Sequence, residues 1–163
     1  MSEPLKLVFD CNVFLQALGN PDGPAGRCMT IAFSERAVLY VSPQVLEEIR
    51  DVTTRPKLIV KFKLREERVT QLLATLPTAA QVISTVPERW KYDRDPDDAH
   101  YVNLALEAGA SLIVSRDKDL LSLMDPNNPD GVALLALYPI LRVWTPPKFL
   151  AFVDEGADGS AKA

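Results

Sequence analysis

A chain of 163 residues, 47% apolar and 25% charged, is long enough to bury one sizeable core, too short for a second catalytic domain, and unlike either a disordered or a membrane-spanning chain. Its net charge of −4 argues against a protein that binds nucleic acid by charge alone, although bound metal offsets acids and basic residues can be segregated. Two cysteines, Cys11 and Cys28, each in an apolar segment, make no disulfide framework, and no apolar stretch of signal-peptide length opens the chain, so the cytoplasm is the expected compartment.

Leu5–Phe9 reads as a short strand ending at Asp10, with Asn12 capping a helix from Val13 to Leu18. Turn chemistry from Asn20 to Pro24 leads to a second helix, Gly26–Arg36, and Val38–Val41 is a second strand. Ser42 caps and Pro43 opens a third helix, which Arg55-Pro56 stops. A charged amphipathic segment, Leu64–Leu76, precedes a short strand at Gln81–Val86, bounded by Pro77 and Pro87. Arg50, Arg55, Lys57, Lys61, Lys63, Arg65 and Arg68 crowd this region, either as solvated helix faces or as a surface for nucleic acid. Pro96 opens a helix that runs to Ala108, with Gly109 as its stop. Leu112–Val114 is a strand, Ser115–Asp119 a turn and Leu120–Leu123 a short helical piece. Asp125–Gly131 is a loop, Val132–Tyr138 takes no clear assignment, Leu141–Trp144 is the last strand and Pro147–Val153 the last helix. The polar tail from Asp154 is expected to be disordered, leaving a single domain over residues 1–153. Strands alternating with helices imply a mainly parallel sheet between two helical layers, with ligands outside the strand C-terminal ends.

Four acids belong to that edge or face the core. At about 100° per residue, Asp98 shares a helix face with Val102, Ala105, Leu106 and Gly109, while His100, Asn103 and Glu107 point away. A carboxylate on the buried face is costly unless it is paired, hydrogen-bonded or metal-bound, so Asp98 has a partner or caps its helix, the role favoured for Asp95 and Asp97. Glu48 borders the stripe of Val45, Ile49 and Val52 at roughly 60°, whereas Glu47 and Asp51 turn toward solvent. Asp10 and Asp117 follow apolar strands; Asp119 competes with Asp117 and is placed one layer out. Carboxylates gathered in this way call for a cation, and all-oxygen ligation selects Mg2+ or Mn2+ over zinc. His100, the single histidine, is expected at the polar surface. No Walker loop, nucleophile elbow or dinucleotide fingerprint occurs.

The strand ending in Asp10-Cys11-Asn12, the segment from Ser42-Pro43 through Glu48-Ile49, Asp95-Pro96-Asp97-Asp98 and Ser115-Arg116-Asp117-Lys118-Asp119-Leu120 together resemble a PIN domain, most closely the bacterial branch that contains toxins of toxin–antitoxin systems. The resemblance runs in order from Leu5 to about Val153. It implies a PIN-like three-layer α/β/α sandwich, one or two Mg2+ or Mn2+ ions, hydrolysis of RNA to 5′-phosphate and 3′-hydroxyl ends, a homodimer, and inhibition by a cognate antitoxin protein. Residue by residue it assigns Asp10, Glu48, Asp98 and Asp117 to catalysis and metal binding, with Asn12 and Ser115 supporting them. The loop Asp125–Gly131 and the apolar Val132–Tyr138 depart from a compact member and read as a partner surface or a dimer element. Two rivals are an acid-cluster phosphatase or phosphotransfer domain with Asp10 as nucleophile, and a non-catalytic module of the same fold that binds proteins.

Overall fold

The apolar runs Leu5–Phe9 and Leu112–Val114 become adjacent central strands, β1 and β4, of one sheet in the computed structural model, which describes residues 3–162 and the side-chain surroundings of residues 3–156. With β2 (Ala37–Val41), β3 (Gln81–Val82) and β5 (Arg142–Trp144), all strands are parallel, in the order β3-β2-β1-β4-β5. Register pairs Leu7 with Leu112 and Phe9 with Val114, so β1 and β4 end level with each other. Consecutive residues Leu7, Val8 and Phe9 are buried, as are Leu112, Ile113 and Val114. Because neighbouring side chains on a strand point to opposite faces, both faces of the sheet are covered, as a parallel sheet requires. The result is the expected α/β/α sandwich. From β1 the chain order runs outward through β2 and β3 on one side and through β4 and β5 on the other. The reversal lies between β1 and β4, where a crevice opens outside the carboxyl ends of such strands.

The helices are α1 (Cys11–Gly19), α2 (Pro24–Ala32), α3 (Pro43–Val52), α4 (Pro56–Phe62), α5 (Glu66–Ala79), α6 (Ala99–Ala108, preceded by one 3-10 turn, Pro96–Asp98), α7 (Lys118–Leu121, continued as a 3-10 turn, Ser122–Met124), α8 (Pro129–Leu137) and α9 (Pro146–Lys162). Pro56, expected only to end α3, is the first residue of a further helix, α4, since proline needs no N–H there. The unassigned Val132–Tyr138 lies largely in α8, which Asn128 caps by accepting the Asp130 N–H at 3.0 Å. Its residues showed no helical period because Val132, Leu137 and the following Ile140 stay exposed. β3 is shorter than Gln81–Val86, because the chain leaves the sheet after Ile83 donates to the Val41 carbonyl and then crosses toward α6. α2 ends at Ala32 rather than Arg36, and α9 continues past Val153. Most of the segment expected as a disordered tail, 154–163, lies outside the residues whose side chains are described. Among the described residues no helix is long and apolar enough to cross a membrane.

Candidate active site

Asp10 sits one residue beyond β1 and opens α1, so strand and helix together fix its backbone. It, not Asn12, is the helix cap: its Oδ1 accepts the Val13 N–H at 3.1 Å, while Asn12 is exposed on the first turn of α1. The other oxygen accepts the Ser115 hydroxyl, and Ser115 Oγ in turn accepts the Asp117 N–H at 2.9 Å. A hydrogen-bonded chain therefore joins the end of β1 to the turn after β4 across the switch point. Asp10 is 3% exposed. Burial pushes its carboxyl up to about 6, against the lowering effect of the Ser115 and Val13 bonds and with the Asp117 charge adding to the rise.

Beside this chain four carboxylates converge. One oxygen each from Asp95, Asp98, Asp117 and Asp119 lies within 4.8 Å of every other. Asp95 and Asp98 come from the proline-initiated turn ahead of α6, Asp117 and Asp119 from the start of α7. Helix capping, the alternative for Asp95 and Asp98, does not occupy them: neither makes a side-chain cap bond. Asp117 does cap α7, accepting the Asp119 N–H at 2.8 Å and the Leu120 N–H at 3.3 Å, both on Oδ1. Asp119, expected one layer out, belongs to the same cluster and also meets Arg94 at 3.0 Å. Asp98 Oδ2 is sealed from solvent with no hydrogen-bond partner among the described residues. Its close neighbours are carboxylates, which it can bond only by keeping a proton. Burial, then the Asp117 charge, drives its carboxyl up to about 9; Asp95 is raised too, by burial and its acidic neighbours.

Four carboxylates, one of them with a buried, unpartnered oxygen, and no histidine or cysteine in the cluster fit a hard divalent cation of the Mg2+ or Mn2+ kind. A cation there would relieve both the crowding and the orphaned oxygen.

Glu48 stands outside that group. Its side chain is 36% exposed, and its carboxylate meets His100 Nε2 at 3.0 Å. The His100 side chain is only 10% exposed, contrary to the expectation of a surface residue. Asn103, expected to point away from the core on the same face, is also buried. The reason is that the chain between β3 and α6 folds across the outer face of this helix. Trp90 and Tyr92 are buried there, the Asn103 amide bonds the Arg89 and Trp90 N–H groups and the Trp90 carbonyl at 2.9–3.0 Å, and Arg89 pairs with Glu107 at 2.7 Å. Burial and then the charge of Glu48, with a smaller effect of Asp10, hold the Cys11 thiol and the Tyr101 hydroxyl well above their usual ranges. Both groups are buried and are held in their neutral forms. Tyr101 accepts the Cys11 N–H at 3.0 Å, tying α6 to the start of α1.

Of the acids expected to work together, Asp98 and Asp117 meet directly, Asp10 joins through Ser115, and Glu48 approaches from the α3 side. Asp95, expected as a helix cap, and Asp119, expected one layer out, both lie in this cluster; the sequence signal for them is their spacing, a second acid three residues before Asp98 and another two after Asp117. In comparison with known proteins, the PIN domain family matches residues 6–119. A protein of Methanocaldococcus jannaschii, itself uncharacterized, is 36% identical over 147 residues, covering 90% of each chain.

Proposed function

The chain belongs to the PIN domain family, whose members are generally metal-dependent nucleases, and on that premise we propose that it is an endoribonuclease using Mg2+ or Mn2+. The observation that carries the reading is the buried, unpartnered Asp98 oxygen among three further carboxylates. Asp95, Asp98, Asp117 and Asp119 would hold one or two ions. When bound, such an ion neutralises charge on a phosphodiester and makes water a better nucleophile. The protein supplies the rest. Ser115 and Asp10 fix the position of Asp117 through the hydrogen-bonded chain, and Arg94 offsets one charge of the cluster at Asp119. Glu48, oriented by His100, accepts a proton from the attacking water; in-line displacement breaks the bond from phosphorus to the 3′ oxygen, which takes a proton from solvent, leaving a 5′-phosphate and a 3′-hydroxyl. Asp10, enclosed and hydrogen-bonded through both oxygens, is ill placed to attack a small phosphate ester, which counts against the phosphotransfer alternative.

The preference for RNA rests on the family resemblance, as do a toxin role, a cognate antitoxin and a homodimer. The exposed apolar residues Val132, Leu137 and Ile140 on and beside α8 support some protein partner. The test is degradation of structured and unstructured RNA in Mn2+, Mg2+ or EDTA by wild type and by Asp98→Asn. Cleavage is expected only with a divalent cation and falls about a hundredfold or more in the variant. Metal-independent cleavage, or an unaffected variant, overturns the mechanism.

A further inference from the structure

An acidic cluster repels the polyanion it is meant to cut, so cations must hold the strand nearby. The seven basic residues between Arg50 and Arg68 do not form one patch. Arg50 pairs with Glu47 at 3.3 Å and Arg55 pairs with Asp51, which spends both on neighbouring acids. Lys61 and Lys63 differ. They sit at the end of α4, and with Arg116, Gln16 and Asn20 they line a cavity of about 500 Å³ that also reaches the start of α2. No carboxylate lines this cavity, and none of its three cations forms an ion pair among the described residues.

The backbone is built to place these cations. Lys63 has φ +55°, the one non-glycine residue of left-handed conformation among those described, and this turns the chain sharply at the end of α4. Gly19 lets that end approach α1, because a Cβ there would lie 1.8 Å from the Phe62 carbonyl oxygen. Arg116 links cavity and acids directly. It lines the cavity, and its chain neighbours are Ser115, which donates to Asp10, and Asp117 of the acidic cluster. At about 1.5 Å of rise per residue along α1, Gln16 to Asn20 lie some 9 to 15 Å from Asp10, within reach of the same nucleic-acid strand.

We propose that this cavity is a phosphate subsite, in which Lys61, Lys63 and Arg116 hold a phosphate of the strand that flanks the one hydrolysed at the acidic cluster. The assignment rests on the nuclease reading. The phosphate is either an internal diester or the 5′-terminal phosphate of the strand, and the two differ in the test. The plainer role for Lys61 and Lys63 is to offset the carbonyl end of α4, which accounts for neither Arg116 nor the absence of acids.

The test measures binding of a 5′-hydroxyl and a 5′-phosphorylated single-stranded oligoribonucleotide, in chelator so that the strand stays intact, across a range of salt. The variants are Lys61→Gln/Lys63→Asn, in which asparagine tolerates the left-handed backbone, and Arg116→Gln. Lys6→Gln/Arg36→Gln removes the same two charges at the opposite end of the strands. Loss of one phosphate contact lowers the log–log salt slope by about 0.7 and weakens binding roughly tenfold in the cavity variants, with no such change in the control. A larger loss with the 5′-phosphorylated strand assigns the terminal phosphate, and an equal loss an internal one. Equal slopes in cavity and control variants, or a change in melting temperature with unchanged binding, overturn the subsite. Wild type that cleaves no RNA yet shows the cavity-dependent slope would refute hydrolysis and leave the subsite standing. Cleavage with unchanged slopes would do the reverse.

Discussion

Asp98 and Asn103 are polar residues of one helical segment, turned toward opposite covers and provided for in opposite ways. Asn103 is matched by the strap that crosses it, its amide meeting three backbone groups of Arg89 and Trp90, so a buried polar side chain becomes an anchor for a loop. Asp98 has a sealed oxygen with no donor and three carboxylates for company. Burial alone thus does not distinguish structure from function; whether the polar atom is satisfied does. The first arrangement is complete without a ligand. The second is complete only with a cation or with retained protons.

That contrast can be broken from either side. Asp98→Asn has the largest expected effect: cleavage falls about a hundredfold or more in an RNA degradation assay while the protein stays folded. Asn103→Ala should do the opposite. It strands the Arg89 and Trp90 backbone groups and costs about 2–4 kcal/mol in denaturant unfolding, with the activity per folded molecule retained. A smaller effect, about tenfold on cleavage with little change in melting temperature, is expected of His100→Ala, which frees Glu48 from its 3.0 Å partner.

Much of this contrast was hidden in the sequence, for physical reasons. The strand at Leu5–Phe9, the cap and proline at Ser42-Pro43 and the glycine stop at Gly109 were legible because each depends on local chemistry. Ser42 accepts the Val45 N–H at 3.2 Å and Gly109 has φ +68°, as helix ends require. Helical phase placed Asp98 correctly but sent His100 and Asn103 to solvent, because periodicity reports one buried face and cannot see a strap that covers the other. It also had nothing to say about Asp95 and Asp119, which lie at a one-turn 3-10 start and in the four-residue α7 rather than on a long helix. Asp10 was found through its strand, although its capping role was given to Asn12.

The raised carboxyls of Asp10 and Asp98 carry a consequence for stability. Both ionise near pH 4 in the unfolded chain, but in the metal-free fold Asp10 ionises at about 6 and Asp98 at about 9. Their contribution is greatest below pH 4 and is lost as pH rises through 6 and then 9. The metal-free protein should therefore melt at lower temperature at pH 9 than at pH 6 as far as these groups decide, and a divalent cation should narrow the difference.

Thermal unfolding of wild type and Asp98→Asn at pH 8, in chelator and in Mn2+, tests the cluster most directly. In chelator the variant should be at least as stable as wild type, because it no longer places a carboxyl among three others, and Mn2+ should raise the melting temperature of wild type well above that of the variant. A variant that is less stable in chelator, or that gains as much from Mn2+ as wild type does, would contradict a cation site at Asp98.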